Sequence, residues 1–386
     1  MTGAVRCFPY WRLSGFYFFY FASLGILLPF WSLFLKHLGY GSEQIGMVFA
    51  VLMATKIVSP NLWGWLADHT KRHVYVIRLA ALLSCVFFVV ILFWQSYPVM
   101  LLVMAAFSFF WNASLPQFEA VTFHHLRETN AHYSQVRLWG SIGFIITVLA
   151  VGQYLRQGEG IQYLPEIMLA CLVGLWGMTL VCPEKTLWHE EGQVPLLTVI
   201  RKPRVLLLLL VCLLIQASHG PYYTFFSLYL EDYGYGSTAI GWIWAISVAS
   251  EVVAFLYVRR LFNRFSLERL LLCAVLLTTI RWLLIAYGVT LQPVLILAQL
   301  LHAISFALFH AVAIQMIAEM FPQHLQGRGQ GLYSSVSFGM GGAIGAFYAG
   351  QTWDGLGGQN VYLIAAGLSL LAGVLMLWLQ PVRTKQ

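Results

Sequence analysis

The sequence predicts an all-α membrane protein with twelve transmembrane helices arranged in two bundles of six. Three observations support this fold class. Hydrophobic residues make up 60% of the 386 residues and charged residues only 10%, whereas a soluble domain carries about 25% charged residues. Apolar runs long enough to cross a bilayer, roughly 20 residues each, recur along the whole chain. The longest polar stretch lies near the middle and separates two sets of six runs.

The apolar runs define the predicted helices. They cover residues 13–35, 43–65, 74–95, 98–120, 135–155, 161–182, 204–230, 236–258, 268–288, 291–317, 329–352 and 359–380. We therefore expect an N-terminal six-helix bundle over 1–182, a central loop over 183–203 and a C-terminal six-helix bundle over 204–386. Each half carries a basic loop after its second run, at 68–73 and 259–269, which indicates an internal repeat.

Lysine and arginine are distributed unevenly between the two sides of the predicted membrane. With the N-terminus in the cytoplasm, seventeen of the 22 basic residues fall on the cytoplasmic side, and only Lys36 and Arg156 fall on the other. Because cytoplasmic loops are enriched in basic residues, this asymmetry predicts that both termini are cytoplasmic. It also supports the count of twelve, since a miscounted helix would scramble the distribution.

The sequence argues against several other classes of protein. The net charge is +7, but the basic residues form no continuous stripe, so we expect no nucleic-acid partner. The cysteines form no CxxC or Cys/His cluster, so we expect neither a disulfide framework nor a metal site. Walker, GxSxG and HExxH motifs are missing from the sequence, so we expect no cofactor and no enzyme activity. The glycine-rich segments 140–144 and 339–350 lie inside apolar runs and favour close helix packing.

Charged residues occur within the predicted spans. They are Lys56, Glu119, Arg137, Glu251 and Arg281. Charge at this depth is costly and usually marks a substrate or ion pathway. Two other interpretations stay open: Glu119 and Arg137 lie near predicted helix ends and could reach the interface, and Glu251 and Arg281 could form a purely structural ion pair. Three bases and two acids leave one positive charge in excess. Because buried charge tends to be paired, a monoanionic substrate or a further carboxylate would complete the pairing.

Histidine and tyrosine side chains add candidates in spans seven and ten. They are His219, Tyr222, Tyr223, His302 and His310. A single histidine in a helix is more often a core residue than a proton carrier, but His302 could share a cavity with Glu251 and Arg281. The two tyrosine hydroxyls could reach a substrate beside His219.

The segment GWLADHTKRH at 64–73 resembles the signature G-x-L-A-D-R-x-G-R-K of the major facilitator superfamily, which lies between its second and third helices. The matching residues are Gly64, Leu66, Ala67, Asp68 and Arg72. His69 replaces the usual arginine, and Lys71 replaces the second glycine. The resemblance implies that Asp68 and Arg72 latch the cytoplasmic gate, whereas a solvated turn is the alternative interpretation.

Within this superfamily, most of the chain resembles the oligosaccharide:proton symporters and the phenylpropionate permeases. The segment YSQVRLWGSIGF and the residue spacing carry this likeness around Glu119 and Arg137. The resemblance implies that these two residues bind substrate. It also implies that Glu251, Arg281 and His302 take part in substrate binding and proton coupling.

Two positions indicate whether the chain resembles the oligosaccharide:proton symporters or the phenylpropionate permeases more closely. Ser305 stands where lactose permease carries its main proton-bearing carboxylate, so Glu251 or a histidine such as His310 would carry the proton here. Lys56 has an arginine counterpart in the phenylpropionate permeases and no basic counterpart in lactose permease. The segment 219–223 also resembles the phenylpropionate branch. These features favour an organic anion, in particular an aromatic carboxylate.

The resulting prediction is a monomeric, multi-pass transporter of a bacterial inner membrane that moves a small organic carboxylate with protons by alternating access. Lys56 and Arg137 would hold the anion, with Glu119 orienting Arg137, while the groups on spans eight to ten would couple the proton. Movement of Arg281 between states would load and release a proton on Glu251. The alternatives are a sugar or nucleoside proton symporter, a proton-independent facilitator and a membrane solute sensor that does not transport.

Overall fold

The computed structural model describes residues 8–126, 129, 132–157, 160–184 and 196–378. Within these residues the chain is almost entirely helical and forms no strand. Each of the twelve predicted spans corresponds to a helix, so the predicted fold class is confirmed.

The helices of the N-terminal bundle are α1 (Tyr10–His37), α2 (Ser42–Thr70), α3 (His73–Val89), α4 (Tyr97–Leu126), α5 (Tyr133–Tyr154) and α6 (Leu164–Val181). The helices of the C-terminal bundle are α7 (Pro203–Asp232), α8 (Ser237–Phe262), α9 (Leu267–Gly288), α10 (Gln292–Met320), α11 (326–356) and α12 (Gly358–Met376). A short helix, Leu196–Ile200, precedes α7.

Two helices of the C-terminal bundle contain a π-helical segment. It covers Ala303–Leu308 in α10 and Ser335–Gly341 in α11. Eleven of the helices in the described chain are long and apolar enough to cross a membrane, and α11 falls outside that set. The glycine and serine residues in 327–342 lower its mean hydropathy. Because α11 packs on both α2 and α7, only part of its surface needs to be apolar.

Each bundle packs around its own central helices, and a smaller set of contacts joins the two bundles. In the N-terminal bundle, α1 packs on α5 and α6, and α4 packs on α2 and α3. In the C-terminal bundle, α7 packs on α11 and α12, and α10 packs on α8 and α9. The bundles meet through α2 with α11, α5 with α8 and α1 with α7.

Glycine residues bring the bundles into close contact at one end. We call the end where α1 begins and α12 ends the terminal face, and the other end the opposite face. Near the opposite face, a Cβ atom added to Gly46 of α2 would lie 2.6 Å from Cα of Gly350 in α11. A Cβ atom added to Gly241 of α8 would lie 2.7 Å from the carbonyl oxygen of Val148 in α5. Both helix pairs therefore pack backbone against backbone, which side chains larger than glycine would prevent.

Polar contacts join the bundles at the same face. Lys36 Nζ at the end of α1 lies 2.8 Å from Glu231 Oε2 and 3.2 Å from Asp232 Oδ1 at the end of α7. Ser42 Oγ at the start of α2 donates to Asp354 Oδ1 of α11 over 2.7 Å. The opposite face is therefore held closed by both glycine packing and exposed polar contacts.

Two expectations about helix ends are corrected. The apolar run placed Glu119 at the end of the fourth span, but α4 continues to Leu126, so Glu119 lies within the helix. Once a helix has passed the hydrocarbon layer, it can continue with polar residues such as His124 and His125. The signature segment was expected in a loop, yet α2 extends to Thr70, and only two residues separate it from α3.

Candidate functional site

The carboxylate of Glu251 on α8 contacts the imidazole of His302 on α10. The distance between Glu251 Oε1 and His302 Nε2 is 2.8 Å, and the side chains are 17% and 4% exposed. A partly buried carboxylate beside a buried histidine forms a hydrogen-bonded pair that can hold or release one proton. Of the predicted proton-coupling residues, the structure brings these two into direct contact.

Arg281 on α9 lies beside this pair but contacts other groups. The side chain is 0% exposed. Its Nε donates to the carbonyl oxygen of Ala298 over 2.9 Å, and its Nη1 donates to Ser305 Oγ over 3.3 Å. Its guanidinium also lies 4.2 Å from the ring centroid of Tyr222. Among the ion pairs of the described residues none joins Glu251 to Arg281, so the structural pair considered from the sequence is not formed in this conformation. The guanidinium donors are directed at α10 instead.

Ser305 helps to position Arg281. Its hydroxyl accepts the hydrogen bond from the guanidinium, within the π-helical segment of α10. A neutral hydroxyl at this position leaves the arginine without a carboxylate contact.

A buried polar network that the sequence analysis missed links α7, α8 and α10. Tyr222 Oη donates to Gln299 Oε1 over 3.0 Å, and Ser247 Oγ donates to the same oxygen over 2.7 Å. All three side chains are buried. The hydroxyl of Tyr222, predicted to reach substrate, is engaged in this network. Gln299 precedes His302 by three residues and therefore shares its helix face, a spacing that could have identified it.

His219 lies within the core of the C-terminal bundle, near His302 of the Glu251–His302 contact. Its Nδ1 is 2.8 Å from the carbonyl oxygen of Ile215, and its ring centroid is 4.8 Å from that of Trp282 and 6.4 Å from that of His302. The ring is 0% exposed. Tyr223, one turn further along α7, is only partly buried, and its ring centroid lies 5.9 Å from that of His219.

Lys56 faces the interior of the helix assembly. Residues 58, 62 and 65 of α2 are exposed apolar residues, and at 100° per residue they lie on the side of the helix away from Lys56. The neighbouring residue Thr55 hydrogen-bonds to Ser108 of α4, and Ile57 contacts Gly339 of α11. Lys56 thus lies between these two contacts. In the described part of the chain its ammonium group makes no hydrogen bond or ion pair.

Arg137 on α5 rests on aromatic rings. Its guanidinium carbon lies 3.8 Å from the ring centroid of Phe21 and 5.8 Å from that of Tyr17. The absence of a side chain at Gly140 leaves room for the guanidinium, since a Cβ atom there would lie 2.7 Å from Arg137 Nη1. Cation–π contacts offset part of the cost of a partly buried charge but do not neutralise it.

Glu119 on α4 accepts a hydrogen bond from Tyr133 of α5 over 2.9 Å between Oε1 and the phenol oxygen. Within the described residues no ion pair joins Glu119 to Arg137, so direct orientation of Arg137 by Glu119 does not occur in this conformation. The side chain that lies within hydrogen-bond distance of Glu119 is Tyr133, which was not identified as a site residue from the sequence. The N-terminal bundle therefore contributes two cations that lack a carboxylate contact.

His310 lies two turns beyond His302 on α10, away from the Glu251–His302 contact. Its Nδ1 is 3.0 Å from the hydroxyl of Tyr333 on α11. Phe306 lies between the two histidines, with its ring centroid 5.3 Å from that of His302 and 6.2 Å from that of His310. His310 therefore packs among aromatic side chains and is separated from the Glu251–His302 contact by Phe306.

The signature residues occupy the end of α2 at the terminal face. Asp68 Oδ1 lies 3.7 Å from His73 Nε2 at the start of α3, and Arg72 immediately precedes that helix. Lys71 adopts φ = 56°, in the left-handed region, which explains why the signature has glycine at this position. A Cβ atom added to Gly64 would meet the amide nitrogen of Gln117 on α4 at 2.9 Å.

The fold and the buried charged groups define a multi-pass membrane transporter of the major facilitator type. The sequence model of the MFS_1 like family matches residues 10–364. The chain belongs to this family.

Two relatives, both named as transport proteins, align with nearly the whole chain. A protein of Escherichia coli (strain K12) named "Probable 3-phenylpropionic acid transporter" is 31% identical over 369 residues, covering 94% of this chain and 95% of the relative. The maltose permease of Geobacillus stearothermophilus is 27% identical over 381 residues, covering 96% of this chain and 94% of the relative.

A solved structure of the nucleoside transporter NupG superimposes with a TM-score of 0.84 at 19% sequence identity, covering 96% of this chain and 98% of that one. This likeness supports the fold. Together the comparisons confirm the prediction of a transporter rather than an enzyme.

Proposed function

We propose that the protein is a proton symporter that carries an aromatic or other organic carboxylate across a bacterial inner membrane by alternating access. In this proposal both termini are cytoplasmic, so the terminal face is the cytoplasmic face, and the working unit is a monomer. The rocking units are the bundles over 1–182 and 204–386. The central loop over 183–203, part of which lies outside the described residues, connects them.

The observation that carries the proposal is the pair of cations without carboxylate contacts in the N-terminal bundle. Lys56 faces the interior beside the contact between α2 and α11, and Arg137 rests on two aromatic rings. A charge away from water that has no opposite charge in contact with it costs several kcal/mol. A substrate carboxylate that contacts these groups would offset that cost. Arginine adds a planar fork that suits a carboxylate.

Glu119 would act indirectly on this anion site. Its hydrogen bond with Tyr133 holds a residue four positions before Arg137, which is one helical turn away on the same face of α5. A carboxylate in direct contact with Arg137 would compete with the substrate anion. Because Glu119 is hydrogen-bonded to Tyr133 instead, it does not compete for Arg137, and the guanidinium of Arg137 remains accessible to the substrate anion.

The Glu251–His302 pair would carry the proton. With the imidazole neutral, Oε1 of the ionised carboxylate accepts a hydrogen bond from Nε2, and the pair has a net charge of −1. Binding one proton makes the pair neutral. The nearby positive charge of Arg281 favours the ionised form, so any change in its distance from Glu251 between conformations would bind or release the proton.

A 1:1 stoichiometry would leave the net charge of the site unchanged. With the histidines neutral, three bases and two acids give a net charge of +1. One added proton and one added monocarboxylate leave that net charge unchanged. A site that keeps the same net charge when empty and when loaded avoids moving extra charge across the membrane, so a 1:1 electroneutral symport is the expected reaction.

The test is uptake into liposomes that contain the purified protein and an imposed pH gradient. Labelled phenylpropionate is compared with a labelled disaccharide, and protein-free liposomes give the rate of passive entry. The variants are Lys56→Ala, Lys56→Arg and the control Lys202→Ala, which removes an exposed lysine outside the membrane helices. The proposal predicts saturable phenylpropionate uptake in the wild type, its loss in Lys56→Ala, and retention in Lys56→Arg and Lys202→Ala.

Two results would contradict the proposal. Wild-type phenylpropionate uptake no faster than passive entry would rule out the carboxylate substrate. Uptake that is unaffected by Lys56→Ala would make this lysine a structural residue and remove the cation pair as the anion site. Binding of phenylpropionate without any flux would instead support the solute sensor considered from the sequence.

A second candidate, a sugar proton symporter, is supported by Glu119 and by the maltose permease among the relatives. The carboxylate of Glu119 is a hydrogen-bond acceptor of the kind that binds sugar hydroxyls. Disaccharide or nucleoside uptake that survives Lys56→Ala and fails in Glu119→Gln would favour this function over carboxylate transport.

A further inference from the structure

Three aromatic rings are stacked along one side of α10. The rings of His302 and Phe306 are inclined by 11° and those of Phe306 and His310 by 7°, with centroids 5.3 and 6.2 Å apart. We call these three residues the ring stack. In an α-helix, residues four apart are offset by about 40° around the axis, so residues eight apart diverge. The π-helical segment Ala303–Leu308 has more residues per turn, and it brings the three rings into line.

A second π-helical segment places another ring beside the stack. Phe338 lies in the segment Ser335–Gly341 of α11, and its ring centroid is 6.1 Å from that of Phe306 at an interplanar angle of 68°. Tyr223 of α7 approaches Phe306 from another direction, at 6.4 Å and 81°. Isolated π-helical turns are rare and often occur at functional sites. Here two of them, on neighbouring helices, position rings around the same residue.

The aromatic group lies next to the interior lysine. Gly339 follows Phe338 in the chain, and a Cβ atom there would lie 2.7 Å from Cγ1 of Ile57 on α2. Lys56 and Phe338 therefore flank the same contact between the bundles. Phe306, Phe338 and Tyr223 are only partly buried, which leaves part of each ring accessible. The helix segments that carry the interior lysine and the aromatic group thus adjoin at this contact between the bundles.

The geometry points to Phe306 as the residue that recognises an aryl ring on the transported carboxylate. This inference rests on the proposed function and specifies its substrate class. The histidine rings lie nearly parallel to the Phe306 ring, one on the preceding turn of α10 and one on the following turn, so an aryl ring that approaches the partly buried Phe306 from the side meets the edge of its ring. The edge of a phenyl ring is electropositive and the face is electronegative, so edge-to-face contacts are attractive. An aryl ring that turns its face toward the Phe306 edge gains an attraction that a saturated ring of the same size does not.

The specificity test compares two acids of nearly equal shape, phenylpropionate and 3-cyclohexylpropionate. Initial rates of uptake into proteoliposomes under a pH gradient give KM and kcat for each acid. The wild type is expected to have a KM about two- to tenfold lower for the aryl acid, the range of an aromatic pair. Phe306→Leu is expected to raise the KM for the aryl acid until the two acids differ less than twofold. Phe306→Tyr retains the ring and is expected to keep the preference.

Controls separate recognition from folding. Phe347→Leu changes a phenylalanine that is 46% exposed on α11, and it is expected to keep the preference. Uptake of 3-cyclohexylpropionate by Phe306→Leu shows that the variant is folded and active. If Phe306→Leu fails to fold, the Phe306→Met variant replaces it with a side chain of similar length.

The outcomes distinguish this inference from the proposed function. Wild-type uptake of neither acid above passive entry would overturn both. Wild-type uptake of both acids, with an aryl preference that persists in Phe306→Leu, would overturn the role of Phe306 and leave the carboxylate symport intact. Equal KM values for the two acids in the wild type would also overturn it.

Discussion

Glycine packing at the opposite face gives the most direct structural test of alternating access. A Cβ atom added to Gly46 would lie 2.6 Å from Cα of Gly350 and 2.8 Å from the carbonyl oxygen of Ala346. Both are backbone atoms, which cannot rotate away. Because carbon atoms in contact sit roughly 3.5–4.0 Å apart, the Cβ atom of Gly46→Val alone requires α2 and α11 to separate by about 1 Å or more.

The expected effect of Gly46→Val is a shift in the conformational equilibrium. Overpacking a close contact costs about 1–3 kcal/mol. That cost arises only while the opposite face is closed, so the population with this face open should rise by roughly 5- to 150-fold relative to the closed one. Transport should slow, because the closed state becomes harder to reach.

Distances between spin labels measure this shift. The labels are placed at the exposed positions Glu43→Cys on α2 and Gly355→Cys on α11, in a chain whose six native cysteines are replaced by serine. The control is Gly367→Val on α12, where an added Cβ meets nothing within 4 Å, so the same change in helix propensity occurs without the contact. Longer distances in Gly46→Val and an unchanged distribution in Gly367→Val are expected. Unchanged distances in both variants would refute the reasoning.

Three further predictions follow from individual residues. Lys36→Ala should lower the free energy of unfolding by less than about 1 kcal/mol, because the ion pairs are about half exposed; a large loss in a denaturation series would contradict this. Lys71→Gly should stabilise the protein by about 1 kcal/mol, since φ is 56° at this position, and an unchanged or lower Tm would argue against strain. Glu251→Gln keeps an oxygen acceptor for His302 but loses the titrating group, so it should retain substrate exchange and lose pH-driven accumulation; accumulation equal to that of the wild type would exclude Glu251 as the carrier.

The sequence was sufficient to predict the fold because apolar runs and the placement of basic residues report directly on membrane spans. It was less reliable at helix ends, as α4 illustrates, because a helix can continue beyond the bilayer in polar residues. Helix α11 falls outside the set of helices that are apolar enough to cross a membrane by length and composition, yet the sequence identified it as an apolar run at 329–352.

The candidate site was predictable where charge lies in an apolar run. Lys56, Arg137 and the Glu251–His302 contact involve residues that the sequence identified. The partners of these residues were not predictable, since a pairing such as Glu119 with Tyr133 depends on how helices are rotated against each other. The same limit applies to Phe306, because one phenylalanine among 27 gives no signal until a π-helical turn aligns it with its neighbours.

The central claim is that one proton accompanies one carboxylate, and proton flux measures it directly. Phenylpropionate is added outside weakly buffered proteoliposomes without an imposed gradient, and the external pH is recorded together with labelled uptake. Protein-free liposomes and Glu251→Gln proteoliposomes provide the baseline for passive entry of the undissociated acid. The account predicts external alkalinisation above this baseline with a ratio near one proton per carboxylate, unchanged when potassium and valinomycin clamp the membrane potential. Carboxylate uptake above the baseline without matching proton uptake would contradict it.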